Sequence, residues 1–431
     1  MIKRTLFNDI LPWLGENKVI IIKGARQVGK TTLLNALRAE LEQCHPHSTV
    51  YFAIDQELTS AWVHDPKLFL QFLRDQYGLG ENKKLYVFLD EFQYLKQAGQ
   101  FLKTVYDIAK DQLQLIVSGS SSLELTKNAE YLTGRKIEFT LRHFSFHEYL
   151  LAKSTFTYPQ SFQLTQQQEI QDFYTLYRQD LEQQLLSFAY WGGYPEVVVQ
   201  TQSDKKRAIL SEIIRTYIEK DVAGFLHIEQ VEAFNRLVTI LATQVGNLVN
   251  KNELSNTVGL NKITLEKYLT ILEDTFIFSF VRPYFTNIRK ELSKMPKVYV
   301  QDTGTLAYAL HHAVPTDFAL LEGNVIENIV YTELLKQTNT NFIHFYRTAA
   351  KAEIDFVLSG DDRLLPIEVK FRQQVITVPS AIHHFSKNYG NNVSRAVVLT
   401  RHDLRFEPAA VFLPVVLLPF VNLKPLQNIT S

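Results

Sequence analysis

The sequence predicts an α/β protein of several domains, opening with a doubly wound parallel sheet. Three observations carry this expectation. The β-branched run Val19–Ile22 passes through a glycine-bearing loop straight into an apolar-periodic helix. Further short apolar runs, at 50–54, 85–89, 113–117 and 137–141, recur between helical patterns. The last third then runs in the order helix, three strands, helix, strand.

The loop after the first strand is Gly24-Ala25-Arg26-Gln27-Val28-Gly29-Lys30-Thr31, followed by Thr32 and a helix to Gln43. Strand, G-x-x-x-x-G-K-T and helix together form the phosphate-binding P-loop in the context it requires. Each position has a physical task. Gly24 and Gly29 let the backbone curl so that N–H groups point inward at phosphate oxygens. The helix start adds its partial positive charge. Lys30 is placed to reach the β- and γ-phosphates, and Thr31 offers a hydroxyl to Mg²⁺. The expected ligands are therefore ATP and Mg²⁺.

Binding phosphate is not hydrolysis, which needs an acid. The strand Leu85–Leu89 ends in Asp90-Glu91. Asp90 is expected to join Thr31 in holding Mg²⁺ through water, and Glu91 to polarise an attacking water. The strand Leu113–Val117 ends in Ser118-Gly-Ser-Ser121, making Ser118 and Ser120 candidates for a polar group near the γ-phosphate or for helix caps. Arg135 is a candidate for stabilising transition-state charge, in cis or in trans, or for a structural ion pair.

These residues resemble a family. Gly24 to Thr32, Phe88-Leu-Asp-Glu-Phe-Gln93, Ser118-Gly-Ser120, Leu132-Thr-Gly-Arg135 and Phe144-Ser-Phe-His-Glu-Tyr149 are similar to motifs of a large group of bacterial and archaeal AAA-type ATPases. Trp191-Gly-Gly-Tyr-Pro-Glu196 and Arg215-Thr-Tyr-Ile-Glu-Lys-Asp221 look like the helical connector of that group, and the C-terminal half resembles the domain of unknown function its members carry. The resemblance runs from about Thr5 to Arg372. It implies an AAA-type ATPase and supplies no substrate.

At 431 residues the chain exceeds what one core supports, and four domains are expected: 1–155 for the ATPase, 156–225 for a helical connector, 226–295 for a winged helix, and 296–431 for a C-terminal α/β domain. The connector begins in the Gln-, Thr- and Ser-rich stretch 156–171, with long helices following from Ile170 to Gln200 and Lys205 to Gly224; Arg215, Glu219, Lys220 and Asp221 lie on the second, as a solvated face or an ion network. Two short helices, Lys251–Val258 and Lys262–Asp274, are joined by Gly259-Leu-Asn261 in helix-turn-helix spacing, and Phe276–Val281 is expected to supply wing strands. From Lys251 to Lys290 there are six basic and four acidic residues, a thin excess for phosphate-driven DNA binding. A DNA partner and a protein partner both fit.

The helix and strand order after 320 is that of the PD-(D/E)xK nuclease-like fold, and the residues resemble its signature. Asp355 and Glu368 fall on adjacent strands, and Lys370 shares the face of Glu368 because strand side chains alternate. Glu327 adds a helix-borne acid, and Glu353 shares the face of Asp355. Such an oxygen-rich set suits a second Mg²⁺. The same residues also fit an ion-pair set, or a vestigial site that grips nucleic acid without cutting it.

Lys plus Arg equals Asp plus Glu at 45 each, so net charge gives no overall pull toward nucleic acid. With Cys44 alone, an intramolecular disulfide and a clustered cysteine metal site are excluded, and a reducing compartment fits. The longest apolar run, Val411–Val421, is broken by Pro414 and Pro419 and is too short to span a bilayer. The start of the chain lacks a signal-peptide pattern. A cytoplasmic protein without a membrane partner is expected.

Overall fold

The computed structural model describes residues 2–423 other than 3, 82, 96, 121–131, 154–157, 159–160, 218–227, 229, 312–314, 349, 351, 361–362, 373 and 376. Ser121, Tyr131, Glu219, Lys220, Asp221 and Gly224, named above, lie outside the described residues. The chain divides into two compact units, Met1–His143 with Ile271–Ile277, and Phe144–Thr270 with Phe278–Ser431.

The first unit is built on five strands, β1 (Val19–Lys23), β2 (Thr49–Ala53), β3 (Leu85–Asp90), β4 (Leu113–Gly119) and β5 (Lys136–Thr140), in the order β2-β3-β4-β1-β5. All pairings are parallel. Parallel strands buried on both faces read as continuous apolar runs, which is why β1, β3 and β4 were legible. Alternation then sorts their side chains. Val19, Ile21, Val87, Leu89, Leu115 and Val117 belong to one core with Phe69, Leu73 and Phe101, whereas Ile20, Ile22, Phe88 and Ile116 belong to another with Leu33, Leu34 and Leu37. Because β4 separates β1 from β3, the carboxyl ends of these three strands line one rim, with the loop after β1 and the acids after β3 on either side of Ser118.

The second unit holds the long helices and a six-stranded sheet, ordered β12-β13-β11-β10-β9-β8. Its strands are β8 (Ile343–Arg347), β9 (Glu353–Gly360), β10 (Arg363–Lys370), β11 (Ala396–Thr400), β12 (Arg405–Phe406) and β13 (Ala410–Pro414). The pairs β8–β9 and β9–β10 are antiparallel; β10–β11 and β11–β13 are parallel. The apolar run around 411–421 thus becomes a buried strand followed by a 3₁₀ helix, Val415–Phe420.

The helix expected from Ile170 to Gln200 is two helices, Gln167–Trp191 and Pro195–Val199. The break is steric: Gly192 has φ +74°, and a Cβ there would meet the Asp302 carboxylate at 2.4 Å. That carboxylate accepts from Gly193 N–H at 2.6 Å and caps the helix Thr303–Ala309 through Thr305 N–H at 2.9 Å. The helices Lys251–Val258 and Lys262–Asp274 form as expected, with Gly259 at φ +77° between them. The strand β6 (Phe278–Val281) pairs antiparallel with β7 (Lys297–Val300), so the expected boundary at 295/296 falls between two strands of one sheet.

One helix start shows how local sequence and long-range packing combine. Ser145 and Glu148 form a reciprocal capping box at Phe146–Lys153: Glu148 N–H donates to Ser145 Oγ at 3.0 Å, and Ser145 N–H to Glu148 Oε2 at 3.0 Å. The Phe146 N–H donates instead to Glu333 Oε1 at 2.8 Å. Burial pushes the Glu333 carboxyl up to about 7, against the opposing pull of that N–H and of Lys336. The folded state therefore binds a proton more readily than the unfolded chain. The stabilisation this gives is complete below the ordinary carboxylate range and is lost as pH rises through about 7. It is on the order of 3 kcal/mol. Glu333→Gln keeps the acceptor and is never charged; thermal melts from pH 5 to 8 are expected to show a higher midpoint than wild type at pH 8 and none of this pH dependence.

Candidate functional site

The P-loop curls between β1 and the helix Lys30–Cys44. Gly24 can only be glycine, because a Cβ would stand 2.1 Å from Leu141 O. Gln27 and Gly29 take positive φ, +59° and +94°, which turns successive peptides toward one side of the loop. Arg4 braces the loop from behind, donating to Val28 O at 2.8 Å and to the carbonyls of Arg142 and His143. Lys30 is 5% exposed, and its Nζ donates to Gly24 O at 3.0 Å and Ala25 O at 2.8 Å. Arg26 reaches Tyr94 Oη at 3.3 Å. Ala25 and Val28 are buried in the core beneath the loop, while Thr32 continues the helix.

Asp90 is 2% exposed and is the hub of the site. Its Oδ2 accepts from Thr31 Oγ1 at 2.6 Å and from the Tyr51 hydroxyl at 2.9 Å. Its Oδ1 accepts from Ser118 Oγ and from Glu91 N–H at 3.0 Å. Four donors hold a buried carboxylate in one orientation. Burial, and then the Asp90 charge, push the Tyr51 hydroxyl above its ordinary value, so Tyr51 serves as a donor across the whole physiological range. The hard oxygens of Thr31 and Asp90 fit a Mg²⁺ that also keeps water and phosphate oxygens.

Glu91 stands at φ +53°, an uncommon conformation for a non-glycine residue, at the entry to the 3₁₀ turn Phe92–Tyr94. Its Oε2 accepts from Gln93 Nε2, which also donates to Ser120 Oγ at 3.1 Å; Gln93 Oε1 in turn accepts from Ser120 N–H at 3.2 Å. Gln93 thus ties the end of β3 to the end of β4.

Ser118 and Arg135 stand at opposite ends of the parallel strands. Ser118 is fully buried and its hydroxyl donates to Asp90, where it helps to fix that carboxylate. Arg135 lies at the opposite rim from its own P-loop. It precedes β5, which runs parallel to β1 with Val19 opposite Lys136, so it sits at the amino ends of the strands, whereas the P-loop, Asp90 and Glu91 follow the carboxyl ends. There its Nε pairs with Asp107 Oδ1 at 2.8 Å.

Arg4, Tyr51 and Gln93 were not found from sequence. Gln93 sat in the Asp-Glu-Phe-Gln motif with no role attached. Tyr51 depended on β2 being the neighbour of β3, which the sequence does not state.

The C-terminal candidates do come together, around a residue that sequence reasoning left out. Asp355 and Glu368 are on adjacent strands as expected: Val369 N–H donates to Asp355 Oδ2 at 2.8 Å and Asp355 N–H to Glu368 Oε2 at 3.3 Å. Lys370 pairs with Glu368 Oε1. Between the acids stands Lys297 of β7. Its side chain is 3% exposed, with Nζ 3.0 Å from Glu327 Oε1, 2.6 Å from Glu353 Oε1 and 3.7 Å from Asp355 Oδ1. Burial alone would lower the lysine's pKa, but the carboxylates outweigh it and raise it above the ordinary value. Burial, followed by the charge of Asp355, pushes Glu327 to about 6 and Glu368 to about 7. Tyr299 donates to Glu327 Oε1 at 2.6 Å. These residues do not fit a second Mg²⁺, because the ammonium of Lys297 faces Glu327, Glu353 and Asp355 and that of Lys370 faces Glu368. Among the described residues no group of three or more His, Cys, Asp or Glu side chains is disposed to hold a metal ion.

The fold and this rim are those of a P-loop nucleotide-binding unit. In agreement, residues 16–150 match the AAA domain family. Residues 182–315 and 322–418 match two domains of unknown function, DUF8612 and DUF4143. An uncharacterized protein of Haemophilus influenzae is 25% identical over 382 residues, covering 86% of each chain. Among solved structures, C. elegans PCH-2 is 18% identical with a TM-score of 0.27, over 35% of this chain and 46% of that one. The Aeropyrum pernix ORC1 protein, solved in complex with DNA, is 13% identical with a TM-score of 0.30, over 71% and 90%. The chain thus spans less than half of the PCH-2 structure, and likeness at these TM-scores carries no functional argument. Among the described residues no helix is long and apolar enough to cross a membrane.

Proposed function

We propose that the chain is a Mg²⁺-dependent ATPase whose nucleotide cycle switches the state of its C-terminal region toward a partner. The observation that carries this is the Asp90 hub: one buried carboxylate joined to Thr31 at 2.6 Å, followed directly by Glu91. Lys30 would neutralise phosphate charge beside the loop N–H groups. Bound Mg²⁺ would supply further neutralisation of the transferring phosphoryl group. Glu91 would accept a proton from the attacking water at a carboxylate oxygen, with Gln93 and Ser120 fixing its position.

Two readings fit the C-terminal domain: a nucleic-acid-cleaving site of Glu327, Asp355, Glu368 and Lys370, and an inactive nuclease-like domain in a switch that binds a protein partner. The Lys297 ammonium favours the second. The helices Val231–Thr243, Lys251–Val258 and Lys262–Asp274, followed by the β6–β7 pair, support reading this segment as a winged helix, a form suited to either a protein or a DNA partner. The test is product analysis with purified full chain. Inorganic phosphate should appear from ATP with Mg²⁺ and stop with chelator, while duplex and single-stranded DNA stay intact. Absence of phosphate release under all conditions would remove the ATPase reading; a phosphorylated acceptor would replace it with a kinase.

A further inference from the structure

The carboxylate cluster of the C-terminal domain is balanced from within. Glu327, Glu353, Asp355 and Glu368 are faced by Lys297, by Lys370 on Glu368, and by Arg347, whose guanidinium lies 3.0 Å from Glu353 Oε2. Lys370 and Arg347 are partly exposed at the margin, and Lys297 is the buried member. The strand that carries it is fastened in place. Asn328, fully buried on the helix Gly323–Gln337, accepts from Val300 N–H at 2.9 Å and donates to Val300 O at 3.1 Å. Tyr299, two residues from Lys297, is held by Glu327. Gly246 closes the other side, donating its N–H to Val298 O at 2.9 Å, and a Cβ on it would stand 3.3 Å from Glu327 Oε2.

We propose that the Lys297 ammonium is the permanent cation of this cluster, so that the domain works without a divalent metal ion and does not cleave nucleic acid by a metal-assisted route. A divalent ion bound by Asp355 and Glu368 with Glu327 or Glu353 would share the Glu327, Glu353 and Asp355 oxygens with the positive charge of a lysine whose strand Asn328 fastens at Val300. Three acids that would otherwise repel one another are instead bridged by one side chain from a different strand pair, which locks β7 against the β8–β10 part of the sheet. This concerns the C-terminal domain alone and stands whether or not the P-loop turns over ATP.

The test uses the full chain and Mn²⁺ as the probe, without nucleotide, followed by calorimetry and thermal melts. Wild type is expected to take up no Mn²⁺ at this cluster and to melt at the same temperature with and without it. Lys297→Met, which keeps length and removes charge, should melt about 5 °C or more below wild type. It should also bind Mn²⁺ where wild type shows none, at least about tenfold more tightly than the weakest binding the titration detects, because the competing like charge is gone, and Mn²⁺ should raise its midpoint. Should Lys297→Met fail to fold, the charge-balanced variant Lys297→Met/Glu353→Gln/Asp355→Asn is expected to fold; its failure to do so would overturn the proposal. Three other results would overturn it as well. One is Mn²⁺ uptake by wild type that disappears in Asp355→Asn. Another is a Lys297→Met midpoint equal to that of wild type. The third is Mn²⁺-dependent DNA cleavage by wild type that is lost in Lys370→Ala.

Discussion

Glu91→Gln is expected to lower phosphate release from ATP by about 10²–10⁴-fold while leaving ATP affinity unchanged. The substitution preserves shape, so the positive φ at 91 and the contact with Gln93 persist, and Asp90 keeps all four donors. What is lost is a carboxylate able to take a proton from water. A defect confined to turnover would place Glu91 at the reacting water. A matching loss of affinity would instead mean that the substitution disturbed the rim, and an unchanged rate would remove Glu91 from the chemistry. Acid-quenched single-turnover measurements beside nucleotide titrations separate these outcomes.

Gly24→Ala is expected to weaken ATP binding by about 100-fold or more. The new methyl would lie 2.1 Å from Leu141 O and 3.1 Å from Leu141 C, both backbone atoms, and Leu141 N–H is itself bonded to Lys23 O at 2.7 Å. Neither side can yield without separating the strand end from the segment that backs the loop. Displacing phosphate-binding N–H groups by an ångström is enough for an effect of this size. Gly323→Ala is the control: a Cβ there meets nothing within 4 Å, and ATP affinity should not change. Equal affinities for both variants would mean that the loop geometry does not govern binding.

The parts legible in sequence were those where local chemistry dictates structure. β1, β3 and β4 are apolar because both faces are covered, the glycines of the P-loop mark backbone that a side chain would obstruct, and Asp90-Glu91 follows a strand. The C-terminal order of helix and strands was legible for the same reason. What escaped was everything set by long-range pairing. Lys297 reads as one surface lysine in Met-Pro-Lys; only the β6–β7 pairing and the Asn328 contact carry it into the acids. Glu333 looks like a solvated helix residue until Phe146 N–H is found on it. For Arg135 the chain order left a charge-stabilising role and an ion pair equally open; only the parallel strand order shows the start of β5 at the far rim from its own P-loop, where Arg135 meets Asp107. The Gly192 break was hidden because its cause, the Asp302 carboxylate, comes from over a hundred residues downstream.

The most direct test is a calorimetric titration of ATP with Mg²⁺ into intact, folded wild type and Lys30→Ala. Saturable binding at one site in wild type, abolished or at least about tenfold weaker without the lysine, is the expected result. Wild-type material that takes up neither ATP nor ADP, or a Lys30→Ala isotherm superimposable on the wild-type one, would contradict the assignment of a nucleotide to this rim.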